Sequence, residues 1–267
     1  MTFGFPASRA TRHAALPLLL VPFGLVLGGA WVWPIACLMA VLAATEDDTR
    51  ALLIWYGVAL GCDPQALLLA PFVLALAIQR RTSPMLLACA ALVAAAILLA
   101  RAFGGDAPAF PFPLDLPLSR GAPNLWVLAQ ALPGIGALPL TGLALAATVG
   151  AGAAYAAWFS VRKLYRHTVP DAALLCALVM AAVLPGADIA VLAVVDLLAL
   201  MLAMGTRRDP ARWRVAGLAL GGSTIALFAT PDAAPLAAAV LVVATLLQAR
   251  AVLKPAANDN PLMARTA

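Results

Sequence analysis

Apolar residues fall in long unbroken runs along this chain, over 14–29, 32–44, 51–61, 66–78, 84–100, 136–161, 171–184, 189–204, 215–230 and 235–253. Continuous runs of this kind read as helices, whereas barrel strands alternate apolar and polar positions. The interruptions carry helix-stopping turn chemistry: Gly28-Gly29, Cys62-Asp63-Pro64-Gln65, Pro185-Gly186-Ala187-Asp188 and Thr230-Pro231-Asp232. At about 20 residues per crossing, the pattern predicts an all-α fold, a polytopic transmembrane helix bundle of about 8–10 segments. Several runs have only 11 to 16 residues. The stretches 14–44 and 51–78 therefore each read either as a hairpin of two short helices or as one kinked span.

Charge gives the bundle a direction. With the N-terminus in the cytoplasm and every run crossing once, 15 of the 17 basic residues fall inside, and only Arg101 and Arg120 lie outside. A single span over 171–204 would turn the four arginines at 207–214 outward, so the break at Pro185 is expected to be a reversal. The domain plan is then a cytoplasmic N-terminus over 1–13, a helical membrane domain over 14–253 with an outer loop at 101–135, and a disordered cytoplasmic tail over 254–267. Arg9, Arg12 and His13 before an apolar run resemble a signal peptide. Without a small-residue cleavage site, the first segment is expected to stay uncleaved. Trp31, Trp33 and Trp126 on the outer side, with Trp55, Tyr155, Trp158 and Trp213 on the inner, fit aromatic belts.

Composition removes most other classes. The chain is 64% apolar and 11% charged, with a mean hydropathy of +0.98. A soluble domain runs about 45–50% apolar and about 25% charged. The net charge of +5 is accounted for by cytoplasmic loops, so no nucleic-acid partner is expected. Four scattered cysteines and two flanking histidines form no metal-ligand spacing, and no nucleotide or hydrolase fingerprint occurs, so neither metal nor cofactor is expected.

The polar residues that remain are few. Asp63 and Gln65 sit in a turn inside apolar text, as does Asp188. Asp196 stands alone in AVLAVVDLLALMLAM, where an anion is strongly disfavoured unless protonated or paired. The readings open for it are a proton or cation site in a transporter or lipid carrier, and a helix-to-helix hydrogen bond to Ser or Thr. In the outer loop Asn124 follows Pro123 as a helix cap, and the Arg120 guanidinium suits a phosphate.

Three pieces in order resemble bacterial multi-pass glycosyltransferases of the GT-C superfamily, notably relatives of the second mannosyltransferase of GPI-anchor synthesis. They are LGCDPQALLLAP from Leu60 to Pro71, LSRGAPNLW from Leu118 to Trp126, and VLPGADIA from Val183 to Ala190; a fourth, from Pro22 to Trp31, is weaker. The resemblance implies sugar transfer from a polyprenyl-phosphate-linked donor at the outer face of a bacterial inner (plasma) membrane. It makes Asp63 and Asp188 the candidate catalytic carboxylates, with Gln65, Arg120, Asn124 and Trp126 binding substrate. Pro64, Gln65, Pro123, Asn124 and Trp126 match the family positions. Val32-Trp33-Pro34 replaces its Gly-Gln motif, Asp63 its lysine, and Ala187 to Ala190 its His-Glu-Arg-Tyr turn. The family's acidic first-loop motif has no counterpart. The chain therefore reads as a shortened member, either a glycosyltransferase using Asp63 or Asp188 or a non-catalytic, accessory subunit with a protein partner supplying the missing catalytic loop. A transporter or lipid carrier using Asp196 and a ligand-free membrane scaffold are the alternatives.

Overall fold

The structure is a computed structural model that describes residues 32–103, 118, 121–131, 140–162, 164–205, 209–228 and 233–253. The expected segment over 14–29, Trp31, Arg120 and most of the 101–135 loop lie outside the described residues, as do the 1–13 terminus and the 254–267 tail. Among the described residues the fold is all-helical, with no strand. It comprises α1 (Val32–Thr45), α2 (Thr49–Cys62), a 3-10 segment (Pro64–Leu69) running into α3 (Ala70–Gln79), α4 (Pro84–Phe103), α5 (Leu125–Gln130), α6 (Leu140–Val161), α7 (Val169–Val183), α8 (Ala190–Gly205), α9 (Pro210–Phe228) and α10 (Ala234–Leu253).

Local chemistry sets several of these boundaries. Asp48 starts α2 by accepting hydrogen bonds from the amides of Arg50 and Ala51, at 3.1 and 3.0 Å. Asp63 does the same for the 3-10 segment, accepting from the Gln65 amide at 2.8 Å, with Pro64 at a position that lacks an N–H to satisfy. Pro84, Pro170 and Pro210 likewise occupy first turns. Gly121 and Gly186 have φ of +102° and +68°, values that a side chain would strain.

Small residues allow close helix contact. A Cβ at Gly57 would lie 2.7 Å from the Ala90 carbonyl oxygen, and one at Gly61 would lie 2.6 Å from the Ile97 Cβ, so α2 meets α4 almost backbone to backbone. Gly222 meets Leu241 in the same way between α9 and α10. The helices α1, α7 and α8 form the centre: Cys37, Val41, Leu174, Cys176, Val194, Val195 and Leu198 are all sealed in the main core.

Contacts between helix ends show that the chain direction alternates. Arg80, after α3, donates to the Ala44 carbonyl at the end of α1 (2.8 Å) and pairs with Asp47 (3.0 Å), while Gln79 donates to the carbonyl of Arg162, after α6. The stretch 51–78 is thus a hairpin, reversed at Asp63-Pro64. Pro185 is also a reversal, because α7 and α8 pack along each other on either side of it. Arg80, Arg166 and the Asp171–Arg212 pair consequently share one end, with Asp63, Gln65, Asn124 and Asp188 at the other.

Among the described residues two helices, α6 and α10, are long and apolar enough to cross a membrane. Only 22% and 28% of their most apolar stretches are buried. The shorter apolar helices include α1, α2, α7 and α8. At about 1.5 Å per residue, the 16 residues of α8 reach about 24 Å, less than a hydrocarbon core of about 30 Å. The aromatic pattern differs from the expected belts. Trp33, Trp55, Tyr155 and Trp126 pack inside, and only Trp158 and Trp213 of the described set stand exposed, at 48% and 45%.

Candidate functional site

The polar end is built from three segments that are far apart in sequence. At its centre Asn124 is 1% exposed. Its side-chain oxygen caps α5 by accepting from the Val127 amide at 3.2 Å. Its Nδ2 donates to the carbonyls of Leu118 at 2.8 Å and Leu184 at 3.2 Å. One amide side chain therefore closes its own loop and fastens it to the end of α7. Trp126, two residues on, donates its indole N–H to the Val183 carbonyl at 2.7 Å, and the Thr148 hydroxyl of α6 lies 2.9 Å from the same oxygen and 2.8 Å from the Ala144 carbonyl, its one hydrogen serving either. Val183 lies in the last turn of α7, where carbonyls lack helical partners; the indole N–H meets that need.

Backbone contacts complete the join. Gly121 and Asp188 form an isolated antiparallel bridge, the Ala122 amide donates to Ala187, and the Gly186 amide donates to Leu118. From the other side, the Gln65 side-chain oxygen accepts the Asp188 amide at 3.1 Å. Asp63 is turned back on its own segment as the cap for Gln65. Leu118 and Trp126 pack with Leu140 and Ala144 in a small second core beneath the loop.

Of the residues expected at the site, Asp63, Gln65, Asn124, Trp126 and Asp188 come together here, and Arg120 lies outside the described residues. Asn124 and Trp126 are buried fasteners whose polar atoms are engaged with backbone. The carboxyl-bearing residues Asp63 and Asp188 are half-buried at the edges of the join. Asp196 is elsewhere, on α8, where its Oδ1 accepts from the Ser223 hydroxyl of α9 at 2.9 Å. That hydroxyl also lies 3.0 Å from the Ala219 carbonyl. Its single hydrogen serves one acceptor at a time; both contacts are hydrogen bonds together when the carboxyl carries a proton and donates.

A second polar network lies at the opposite end. Asp171, in the first turn of α7, pairs with Arg212 of α9 at 2.6 Å, and Gln248 of α10 donates to the Asp171 carbonyl at 3.0 Å. It joins three helices. Its signals in the sequence are a carboxylate just after a proline and a lone glutamine in apolar text, LLQARAVL. Beside it, burial lowers the affinity of the Arg80 guanidinium for its proton, and neighbouring Asp47 opposes that shift. Among the described residues no group of three or more His, Cys, Asp or Glu is placed to hold a metal.

Comparison with known proteins gives no match to any family, curated protein or solved structure.

Proposed function

We propose that this chain is a multi-pass protein of a bacterial inner membrane that serves sugar transfer from a polyprenyl-phosphate-linked donor at the outer face, as an accessory subunit. Membrane embedding is supported by the many exposed apolar side chains, among them Leu74, Ile78, Leu92, Leu99, Val149, Val243 and Leu246. Apolar surface of that extent calls for lipid or a partner rather than water. The arginine-rich end then faces the cytoplasm and the amide-rich end faces out.

The observation that carries the reading is the convergence of the three GT-C-like pieces. Cys62 to Gln65, Leu118 to Trp126 and Val183 to Asp188 are separated by tens of residues, yet they form one hydrogen-bonded assembly. The accessory role is favoured by how that assembly uses its groups. Asn124, Trp126 and Gln65 hold backbone, and Asp63 caps a helical turn. A catalytic base needs instead a carboxylate within hydrogen-bond reach of the acceptor hydroxyl.

Removing the chain from its host and measuring lipid-linked glycan assembly tests this. The expected result is loss of assembly, restored by the native chain and equally by Asp63→Asn and Asp188→Asn. Normal assembly without the chain would end the sugar-transfer reading. Abolished assembly with either carboxamide variant, at unchanged protein level, would make the chain the enzyme itself.

A further inference from the structure

At the arginine-rich end, α6, α7, α9 and α10 leave between them a cavity of about 1050 Å³. Small-molecule pockets run about 300–1,000 Å³, so this one has room for a headgroup as well as for an ion. Four guanidinium groups line it, from Arg162, Arg212, Arg214 and Arg250, against the two carboxylates of Asp171 and Asp209. Arg212 serves both carboxylates, at 2.6 and 3.6 Å. Arg162 rests over the Trp158 ring at 4.4 Å, and Arg214 uses only its Nε, on the Pro210 carbonyl. Among the described residues, Arg162, Arg214 and Arg250 form no ion pair, so the positive charge of the cavity is in surplus.

Helix dipoles do not decide the matter. The N-termini of α7 and α9 reach the cavity, but so do the C-terminal ends of α6 and α10, and their partial charges oppose. The arginines decide it. Guanidinium suits phosphate oxygens because its N–H groups meet them two at a time. The rest of the wall is mixed: Tyr165, His167, Thr168 and Gln248 add polar groups, and Phe159, Leu164, Val215 and Leu247 form an apolar side that leads along α10 toward the exposed Val243 and Leu246. An anionic head beside an apolar track matches a phosphate ester that carries a hydrocarbon tail.

We infer that this cavity binds a phosphate group that carries net negative charge, at the arginine-rich end of the bundle, a site separate from the amide-rich end and independent of the sugar-transfer reading. The group comes from an anionic lipid headgroup or from free phosphate, and the test separates the two.

The full chain in a neutral detergent is titrated with dioctanoyl phosphatidylglycerol, with dioctanoyl phosphatidylcholine and with inorganic phosphate. Tryptophan fluorescence is read, since Trp158 lies against Arg162. The phosphatidylglycerol is expected to bind about tenfold or more tighter than the phosphatidylcholine, and Arg162→Gln/Arg214→Gln/Arg250→Gln is expected to erase that preference. The corresponding triple lysine variant is expected to keep the preference at lower affinity, which guards against a misfolded glutamine variant. Inorganic phosphate binding as tightly as the phosphatidylglycerol identifies free phosphate as the ligand; much weaker phosphate binding identifies the lipid. Equal binding of the two lipids, with no response to phosphate, would overturn the inference. So would a folded glutamine triple variant that binds phosphatidylglycerol like the native chain.

Discussion

The side chain of Asn124 meets three backbone groups at the amide-rich end, the Leu118 and Leu184 carbonyls and the Val127 amide. Asn124→Ala removes a cap and the side-chain donor of the Leu184 carbonyl, while the Leu118 carbonyl keeps the Gly186 amide, at a cost of about 1–2 kcal/mol. Thermal unfolding of the purified chain measures it. Trp126→Phe is milder, about 1 kcal/mol, because the Thr148 hydroxyl is within reach of the Val183 oxygen and can turn to it from the Ala144 carbonyl. Asp196 behaves differently. Its contact with Ser223 ties two helices without any chain of polar groups leading away, so Asp196→Asn is expected to leave stability within about 1 kcal/mol of native. Proton-coupled flux in vesicles that disappears in this variant would instead make Asp196 a transport residue.

At the scale of elements, the glycines of α2 set its distance from α4. Gly57→Val would drive a side chain into the Ala90 carbonyl, which has no rotamer to yield. The expected destabilisation is about 2–3 kcal/mol or more, whereas Gly217→Ala on α9, with open space around it, is expected to be neutral or slightly stabilising. Unfolding of both variants under one detergent condition provides the comparison. The Asp171–Arg212 pair belongs here too. Losing either partner strands the other near the helix junction, so Arg212→Gln is expected to cost about 1–3 kcal/mol, less in the background of Asp171→Asn. Asp47 is half exposed and meets the exposed Arg166 and the largely buried Arg80; because Arg80 keeps its bonds to the Ala44 carbonyl and Thr49, removing Asp47 is expected to cost about 1 kcal/mol.

Much of this frame was legible in the apolar runs. The turns at Asp63-Pro64 and Pro185-Gly186 are where proline chemistry put them, and Asn124 caps its helix as its place after Pro123 suggests. What the runs did not reveal was long-range pairing. Nothing near Gln65 announces that its side chain will hold the Asp188 amide, 123 residues away. Nor does an isolated Gln248 say that its partner is the Asp171 backbone. The tryptophans were read from the positions of helix ends alone, and those in the central helices turned inward because a large apolar ring fills a core as readily as it meets an interface.

At the scale of the whole molecule, the account rests on opposed ends: guanidinium groups at one, amides and half-buried carboxylates at the other. In the proposed reading a membrane lies between them and covers the apolar exterior of α4, α6 and α10. The direct measurement uses the chain with its four cysteines replaced and a single new one introduced, either Ser83→Cys after the Arg80-Arg81 turn or Ala131→Cys after α5. Both positions are exposed. Vesicles of both orientations are treated with a membrane-impermeant maleimide. The account predicts that Ser83→Cys reacts only from the cytoplasmic face and Ala131→Cys only from the opposite one. Reaction of both from the same face would contradict it.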